Sequence, residues 1–449
     1  MKKSYYNFIF KGEKGNYLAF NSRTAALAKI DDDFFNILDA IENIKYEELD
    51  EKQKELINNM KENGYIVEDC YNELNEIQYR NMQGRFNQGI LTLIIAPTLN
   101  CNFKCTYCYE SSKNTKMSIE TQEMLVKFVN RYTDKIKELK VVWYGGEPLL
   151  YKNIISNLSD RLINSCNKNS INYSAYIITN GYLVDDETIE ILKRCRVFGA
   201  QLTLDGPPHI HNKRRILKSG KEDNFKKVFN SIIQLKTNDI DVSVRINIDR
   251  DNIEHIDELL KIFKENSMKD IFVYFGQVVP FTESCKSISS SCYSNKEFSN
   301  TIINLQKKLI QNGFSSGIDS CYYPSLKTNY CSADQINSFV IDPSGYLYKC
   351  MNEIGNVELA VGNINENMEE GSRQYNRLLE YMLYSPIDIE ECRTCKLLPV
   401  CMGGCPSLKK DNNNNGCERW KYNLKNIIEY TYNCYEEYTE EFKKAFEYL

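Results

Sequence analysis

Between residues 90 and about 276, short apolar runs alternate with amphipathic stretches of helical length. Strands are predicted over 91–96, 140–144, 174–179, 198–204, 241–248 and 271–275, with helices near 118–132, 151–166, 186–195, 222–236 and 253–265. Strands separated by helices of this length form right-handed βαβ units on a parallel sheet. Six repeats suit a partial (β/α)6 barrel, TIM-like but not closed into eight strands. In such sheets the functional groups collect in the loops at the strand C-termini. At 449 residues, 42% of them apolar and 26% charged, the chain is an ordinary globular one with room for further units on either side.

Residues 1–70 read as a small α+β unit. Two apolar runs flank Gly12 and Gly15 as a hairpin, Asp31, Asp32 and Asp33 open a helix, and a second helix stops at Asn63 and Gly64 before a returning strand. This pattern fits either a winged-helix-like module or a plain cap on the main domain. Residues 71–89 form a polar connector, helical or irregular. Beyond 276 the rhythm stops. A helix is expected over 295–311, a hairpin over 339–348 turning at Asp342-Pro-Ser-Gly345, and a closing helix over 423–449.

Net charge is −5 with no block of Lys or Arg, which argues against a nucleic-acid partner. No apolar run approaches the roughly 18 residues that span a bilayer. The start of the chain has no small-residue cleavage site, so no membrane role and a cytoplasmic location are expected. Three histidines are too few for a His-rich catalytic zinc or a His-dependent triad. Cysteine is over-used: 17 residues, 11 of them at or after Cys285, with several close spacings. Without export, that pattern points to metal or redox chemistry rather than disulfides.

Cys101, Cys105 and Cys108 follow the first strand of the repeat. A four-iron cubane takes one thiolate per iron, so three local cysteines leave one iron open to a ligand. The alternative is a zinc knuckle completed by a distant cysteine. Gly145-Gly146-Glu147-Pro148 follows the second strand, Thr179-Asn180-Gly181 the third, and Thr203 and Asp205 the fourth. Each is an ordinary strand-end turn in isolation. All of them lie at one end of one sheet, beside three thiols.

These motifs resemble the radical S-adenosylmethionine superfamily. The tail, Cys331, Gly345 and Cys350, then Cys392, Cys395, Cys401, Cys405 and Cys417, is similar in order and spacing to the seven-cysteine SPASM extension. Domains of 90–300 for the radical SAM partial barrel, 301–422 for the SPASM domain and 423–449 for a C-terminal helix follow from it. The resemblance implies S-adenosyl-L-methionine and three [4Fe-4S] clusters as cofactors. Cys101, Cys105 and Cys108 would hold the first. Gly145, Gly146, Glu147 and Pro148 would bound the methionine end. Tyr107 would pack beside cluster and adenine, with Thr203, Asp205 and Arg215 on the ribose side; a surface salt bridge is the other reading of Arg215.

The resemblance assigns Cys331, Cys350 and Cys405 to one auxiliary cluster, with Cys321 or a substrate thiolate as its fourth ligand. Cys392, Cys395, Cys401 and Cys417 would hold the other, and Cys285 and Cys292 are taken as ordinary thiols. Most such proteins modify ribosomally made peptides, and the N-terminal unit is similar to modules that capture a leader peptide along a sheet edge. Sulfatase-activating relatives carry an aspartate where this chain has Met351. The expected activity is therefore hydrogen abstraction from a precursor peptide and formation of cysteine thioether links. Carbon–carbon or carbon–oxygen crosslinking, or Cys or Ser oxidation, is the alternative, and a non-catalytic iron–sulfur scaffold is a distant one. The partners would be the leader-bearing precursor and a flavodoxin- or ferredoxin-type one-electron reductant.

Overall fold

The structure is a computed structural model that describes residues 1–13, 15–110, 112–220, 223–280, 282–314, 323–366, 369–410 and 416–437. At the N-terminus, β1 (Lys2–Lys3) pairs with β5 (Ile66–Val67), while β2 (Asn7–Lys11), β3 (Tyr17–Asn21) and β4 (Ala26–Ile30) form an antiparallel meander. Sequence reading expects the hairpin but not β4, whose Ala-Leu-Ala-Lys-Ile run has little intrinsic strand preference. The turn before it is made by Asn21, whose Oδ1 accepts from the backbone of Arg23 and Thr24 at 3.0 and 3.1 Å. Helix α1 (Asp32–Ala40) is capped by Asp31, and α2 (Glu51–Glu62) by a reciprocal Asp50–Gln53 capping box. Phe34, Ile37, Leu38, Ile57 and Met60 from these helices close a separate small core over β3.

The connector is a helix, α3 (Glu73–Arg85), with a polar sequence but buried Glu73, Asn81 and Arg85. Arg85 donates to the carbonyls of Asp334, Tyr381 and Met382, and Asn81 to that of Thr328 at 2.8 Å. Backbone recognition of this kind leaves no hydrophobic periodicity to read. It ties the connector to the C-terminal third of the chain.

The six expected strands are present as β6 (Ile90–Ile95), β8 (Glu138–Trp143), β9 (Asn172–Ile178), β10 (Val197–Thr203), β12 (Asp241–Ile248) and β13 (Phe272–Gln277). All pair in parallel, in the order β13-β12-β10-β9-β8-β6. Between them run α4 (Ile119–Asn130), α5 (Lys152–Lys168), α6 (Asp186–Arg194), α8 (Asn224–Thr237) and α9 (Ile256–Glu265), all near their expected positions, and a short α7 (Pro208–Arg214). Alternation within each strand divides the two faces. Leu91, Leu93, Ile95, Val141, Trp143 and Ile177 belong to the main core with the helices, while Ile94 and Tyr144 belong to a second cluster on the other face.

Two additions lie outside the repeat. A two-stranded ribbon pairs β7 (Phe103–Cys105) with β11 (Arg215–Leu217). The tail hairpin, β14 (Ser338–Ile341) and β15 (Tyr346–Tyr348), does not stand apart as the sequence rhythm implies. Strand β14 pairs in parallel with β6, and β15 and β16 (Gly362–Asn363) extend the sheet to nine strands. As the first strand of the series, β6 has a free edge within the repeat, and β14 covers it. Helix α10 (Asn295–Gln311) lies against Trp420–Glu437, where Asn423 donates to Ser299 O at 3.1 Å. The remainder of the expected closing helix, 438–449, lies outside the described residues, as does Cys321. Among the described residues no helix is long and apolar enough to cross a membrane.

Candidate active site

The three-cysteine segment leaves the C-terminal end of β6 and is held from two sides. Beneath it lie the glycines that follow β8. A Cβ on Gly146 would stand 2.3 Å from Asn100 O, and one on Gly145 would stand 2.4 Å from Thr98 O. Gly145 also has φ +109, a conformation other residues rarely adopt. The glycine pair therefore admits the chain leading into Cys101. Glu147 is fully buried: its carboxylate accepts from Thr179 Oγ1 at 2.7 Å, Asn180 N at 2.7 Å and Leu149 N at 3.0 Å. It joins the ends of β8 and β9, and Pro148 starts the following 3-10 turn. Burial raises its pKa against these hydrogen bonds.

On the other side the ribbon sets Arg215 opposite Cys105. Arg215 is buried and is no surface ion pair. Its Nη1 donates to the Tyr107 hydroxyl at 2.8 Å. Burial opposes its charge, but Cys105, Tyr107 and Asp205 outweigh that and hold its pKa above the ordinary value. The Tyr107 hydroxyl also donates to Asp205 Oδ2 and accepts from Asn247 Nδ2 at 3.2 Å, and Arg214 lies over the ring at 5.1 Å. Asp205 accepts from Asn247 N at 3.0 Å, and Arg214 Nη1 pairs with Asp249 at 2.8 Å. Thr203 is buried at the end of β10 opposite Arg245. Sequence reasoning missed Arg214, Asn247 and Asp249, since a lone Arg, Asn or Asp at a strand end carries no pattern.

Burial pushes the Cys101 and Cys108 thiols up to about 12, aided at Cys101 by Glu147 and at Cys108 by Glu110; Cys105 is raised by burial too. Thiols in such surroundings ionise when a metal supplies the positive charge. A single zinc with sulfur ligands at 2.3 Å brings them within about 3.8 Å of one another. Among the described residues no three cysteine sulfurs lie within 4.8 Å of one another, which disfavours the one-ion reading and leaves room for a polynuclear cluster. Asn102 Nδ2 and Arg215 Nε are buried donors without a partner beside these thiols. The donor set fits a three-cysteine cluster with a polar ligand.

In the tail, Cys392, Cys395, Cys401 and Cys417 line one cavity of about 780 Å³. Lys409 Nζ lies 2.9 Å from Cys392 Sγ, and Lys421 Nζ lies 3.7 Å from Cys417 Sγ. Gly404 has no room for a Cβ, which would sit 1.9 Å from Gly416 O, so Cys405 and Cys417 are brought to adjoining strands of one loop. Cys331 and Cys350 pack against Tyr381 and Met382. Both are raised to about 12, first by burial, with Cys405 contributing.

A further cavity of about 570 Å³ is lined by residues that follow Cys108 and Cys350 in sequence. They are Tyr109, Glu110 and Lys113 after the third cysteine and Asn352 and Gly355 after Cys350, with Thr282 also on the wall. Lys113 Nζ donates to Gly355 O at 2.5 Å, and Thr282 Oγ1 to Tyr109 O at 2.8 Å. Glu110 is raised by burial to about 7 and keeps one carboxylate oxygen unpartnered. Glu110 was not singled out from sequence, although it stands two residues past Cys108.

A parallel sheet with a three-thiol loop at its C-terminal end defines a cluster-binding α/β enzyme class. Residues 95–263 match the family model described as Radical SAM superfamily, so the chain carries a radical SAM domain, and it is an enzyme. It is 25% identical over 95% of its length, and 95% of the other chain, to the radical SAM cyclopropyl synthase TigE of Paramaledivibacter caminithermalis. It is 26% identical over 76% of its length, and 96% of the other, to a cysteine-type anaerobic sulfatase-maturating enzyme of Clostridium novyi. In fold it is similar to anSMEcpe with bound AdoMet (TM-score 0.60, 20% identity, 80% of this chain and 98% of that one). It is also similar to Streptococcus suis SuiB bound to its precursor peptide SuiA (TM-score 0.52, 16% identity, 93% and 98%).

Proposed function

We propose that this chain is a peptide maturase that takes a hydrogen atom from a ribosomally made precursor and closes a cysteine thioether link. The observation that carries the reading is the cavity lined both by Glu110, two residues past Cys108, and by Asn352, two residues past Cys350. A peptide placed there touches the segments that follow both cysteines. When bound, S-adenosylmethionine and its [4Fe-4S] cluster supply an organic radical able to attack an unactivated C–H bond.

The chain's residues do the rest. Cys101, Cys105 and Cys108 hold the cluster, and the backbone of Gly145 and Gly146 keeps the loop pressed to the sheet. Tyr107, braced by Arg215, Asp205 and Asn247, walls the nucleoside side, with Thr203 nearby. Cys392, Cys395, Cys401 and Cys417 hold one auxiliary cluster, and Cys331, Cys350 and Cys405 another, completed by Cys321 or by a substrate thiolate. An external flavodoxin- or ferredoxin-type donor would supply the first electron, and a cluster held by these tail cysteines would offer an acceptor for the second.

The β2–β3–β4 meander supports a leader-binding role, because among the described residues β4 pairs only with β3 and leaves its other edge without a strand partner. SuiB, bound to a precursor peptide, is similar in fold across most of this chain.

The test is to incubate reduced, cluster-loaded enzyme with S-adenosylmethionine and the short peptide encoded beside its gene. Loss of two hydrogens per link, with protection of cysteine from alkylation, is expected; an unchanged peptide mass ends the proposal. Carbon–carbon bond formation is the second reading, favoured by the near full-length similarity to a cyclopropyl synthase. It predicts the same mass loss with every thiol still open to alkylation. Met351 in place of the aspartate of sulfatase-activating enzymes argues against Cys or Ser oxidation.

A further inference from the structure

Two of the chain's three histidines meet at its surface. His209 lies in α7 and His255 is the N-cap of α9. Their rings pack edge to face, centroids 5.2 Å apart with planes at 84°. Glu258, three residues past His255 and so on the same helix face, brings Oε1 to 3.9 Å from His209 Nδ1. One donor atom from each of the three residues lies within 4.8 Å of the other two, the only such trio of His, Cys, Asp or Glu among the described residues. His209 and Glu258 are more than half exposed. Among the described residues no hydrogen bond engages the ring nitrogens of His209 or His255, and the nearest carboxylate to His209 Nδ1 is that of Glu258 itself.

We propose that His209, His255 and Glu258 form a site for a divalent transition-metal ion of the zinc class, which clamps α7 to α9. Two imidazoles and a carboxylate are a borderline nitrogen–oxygen set, suited to zinc and its neighbours rather than to calcium or magnesium. Zinc bonds of 2.0–2.2 Å require donors about 3.3 Å apart, which exposed side chains reach by small rotations. An ion pair between His209 and Glu258 explains neither the second imidazole nor its edge-to-face approach.

The site's position gives the clamp a consequence. Helices α7 and α9 follow β10 and β12, which are neighbours in the sheet. The end of β12 carries Asn247 and the two connecting loops carry Asp205 and Asp249, already joined by Asn252, whose Nδ2 donates to Asp205 O at 2.7 Å and to Asn247 O at 2.8 Å. The ion holds the same two loops from outside, behind the residues that grip Tyr107. It is structural and takes no part in the chemistry, so the inference stands apart from the substrate assigned above.

The test uses full-length, iron–sulfur-loaded protein, freed of loosely held metal by a chelator and titrated anaerobically with zinc chloride in a calorimeter. One saturable site per chain is expected. The His209→Ala/His255→Ala double variant weakens it about tenfold or more, and Glu258→Gln weakens it also, with iron content and circular dichroism unchanged. Equal zinc affinity in parent and double variant overturns the site, and unchanged affinity in Glu258→Gln removes the carboxylate from it. Zinc raises the melting temperature of the parent and not of the double variant; an equal shift in both overturns the clamp.

Discussion

Gly146 is the residue on which the three-cysteine loop turns. A methyl group there meets Asn100 O at 2.3 Å, backbone that cannot move without displacing Cys101. Gly146→Ala is expected to cost roughly 1–3 kcal/mol in denaturant unfolding and to lower iron at the first site. Lys409 acts on a different property. Its ammonium lies 2.9 Å from Cys392 Sγ, and if that sulfur is a ligand of the proposed auxiliary cluster, the cation favours the reduced, more negative state. Lys409→Met is expected to lower the reduction potential of one auxiliary centre without changing iron content, as read by potentiometric titration with electron paramagnetic resonance. Glu110→Gln is expected to reduce peptide crosslinking while leaving uncoupled cleavage of S-adenosylmethionine intact, as shown by separate assays of product peptide and 5′-deoxyadenosine.

Strand β4 and the β7–β11 ribbon do the positioning. Successive N–H groups of a strand point to opposite edges, so of Ala28 and Lys29 one faces β3 and the other the open edge of β4. Proline removes that N–H. One of Ala28→Pro and Lys29→Pro is expected to weaken leader-peptide binding while the module stays folded, and the other to unfold it. Fluorescence polarisation with a labelled leader and a thermal melt of each variant separate the two. The ribbon brings Arg215 to Cys105 across 110 residues of sequence, a contact no local pattern announces.

The nine-stranded sheet makes the radical SAM domain and the tail one body, because β14 lies on the first strand of the repeat. On the proposed reading the two sets of cysteines are nonetheless separate sites. Replacing Cys101, Cys105 and Cys108 with Ala is expected to abolish 5′-deoxyadenosine formation and to leave about two-thirds of the iron, as three four-iron centres become two. Loss of all iron on colorimetric assay would refute a three-cluster protein.

Much of this was legible in the chain before folding. The six parallel strands and the helices between them follow from hydrophobic period, and the candidate cluster cysteines from spacing, because both are local patterns. Helix α3 escaped a firm assignment because its buried face is polar and pairs with carbonyls far along the chain. Strand β4 was missed because its residues lack strand preference and depend on β3 for pairing. The Tyr107 clasp, the cavity beside Glu110 and the meeting of His209 with His255 were decided by tertiary structure alone. Each joins side chains from separate loops, and only the order and twist of the sheet determine which loops become neighbours.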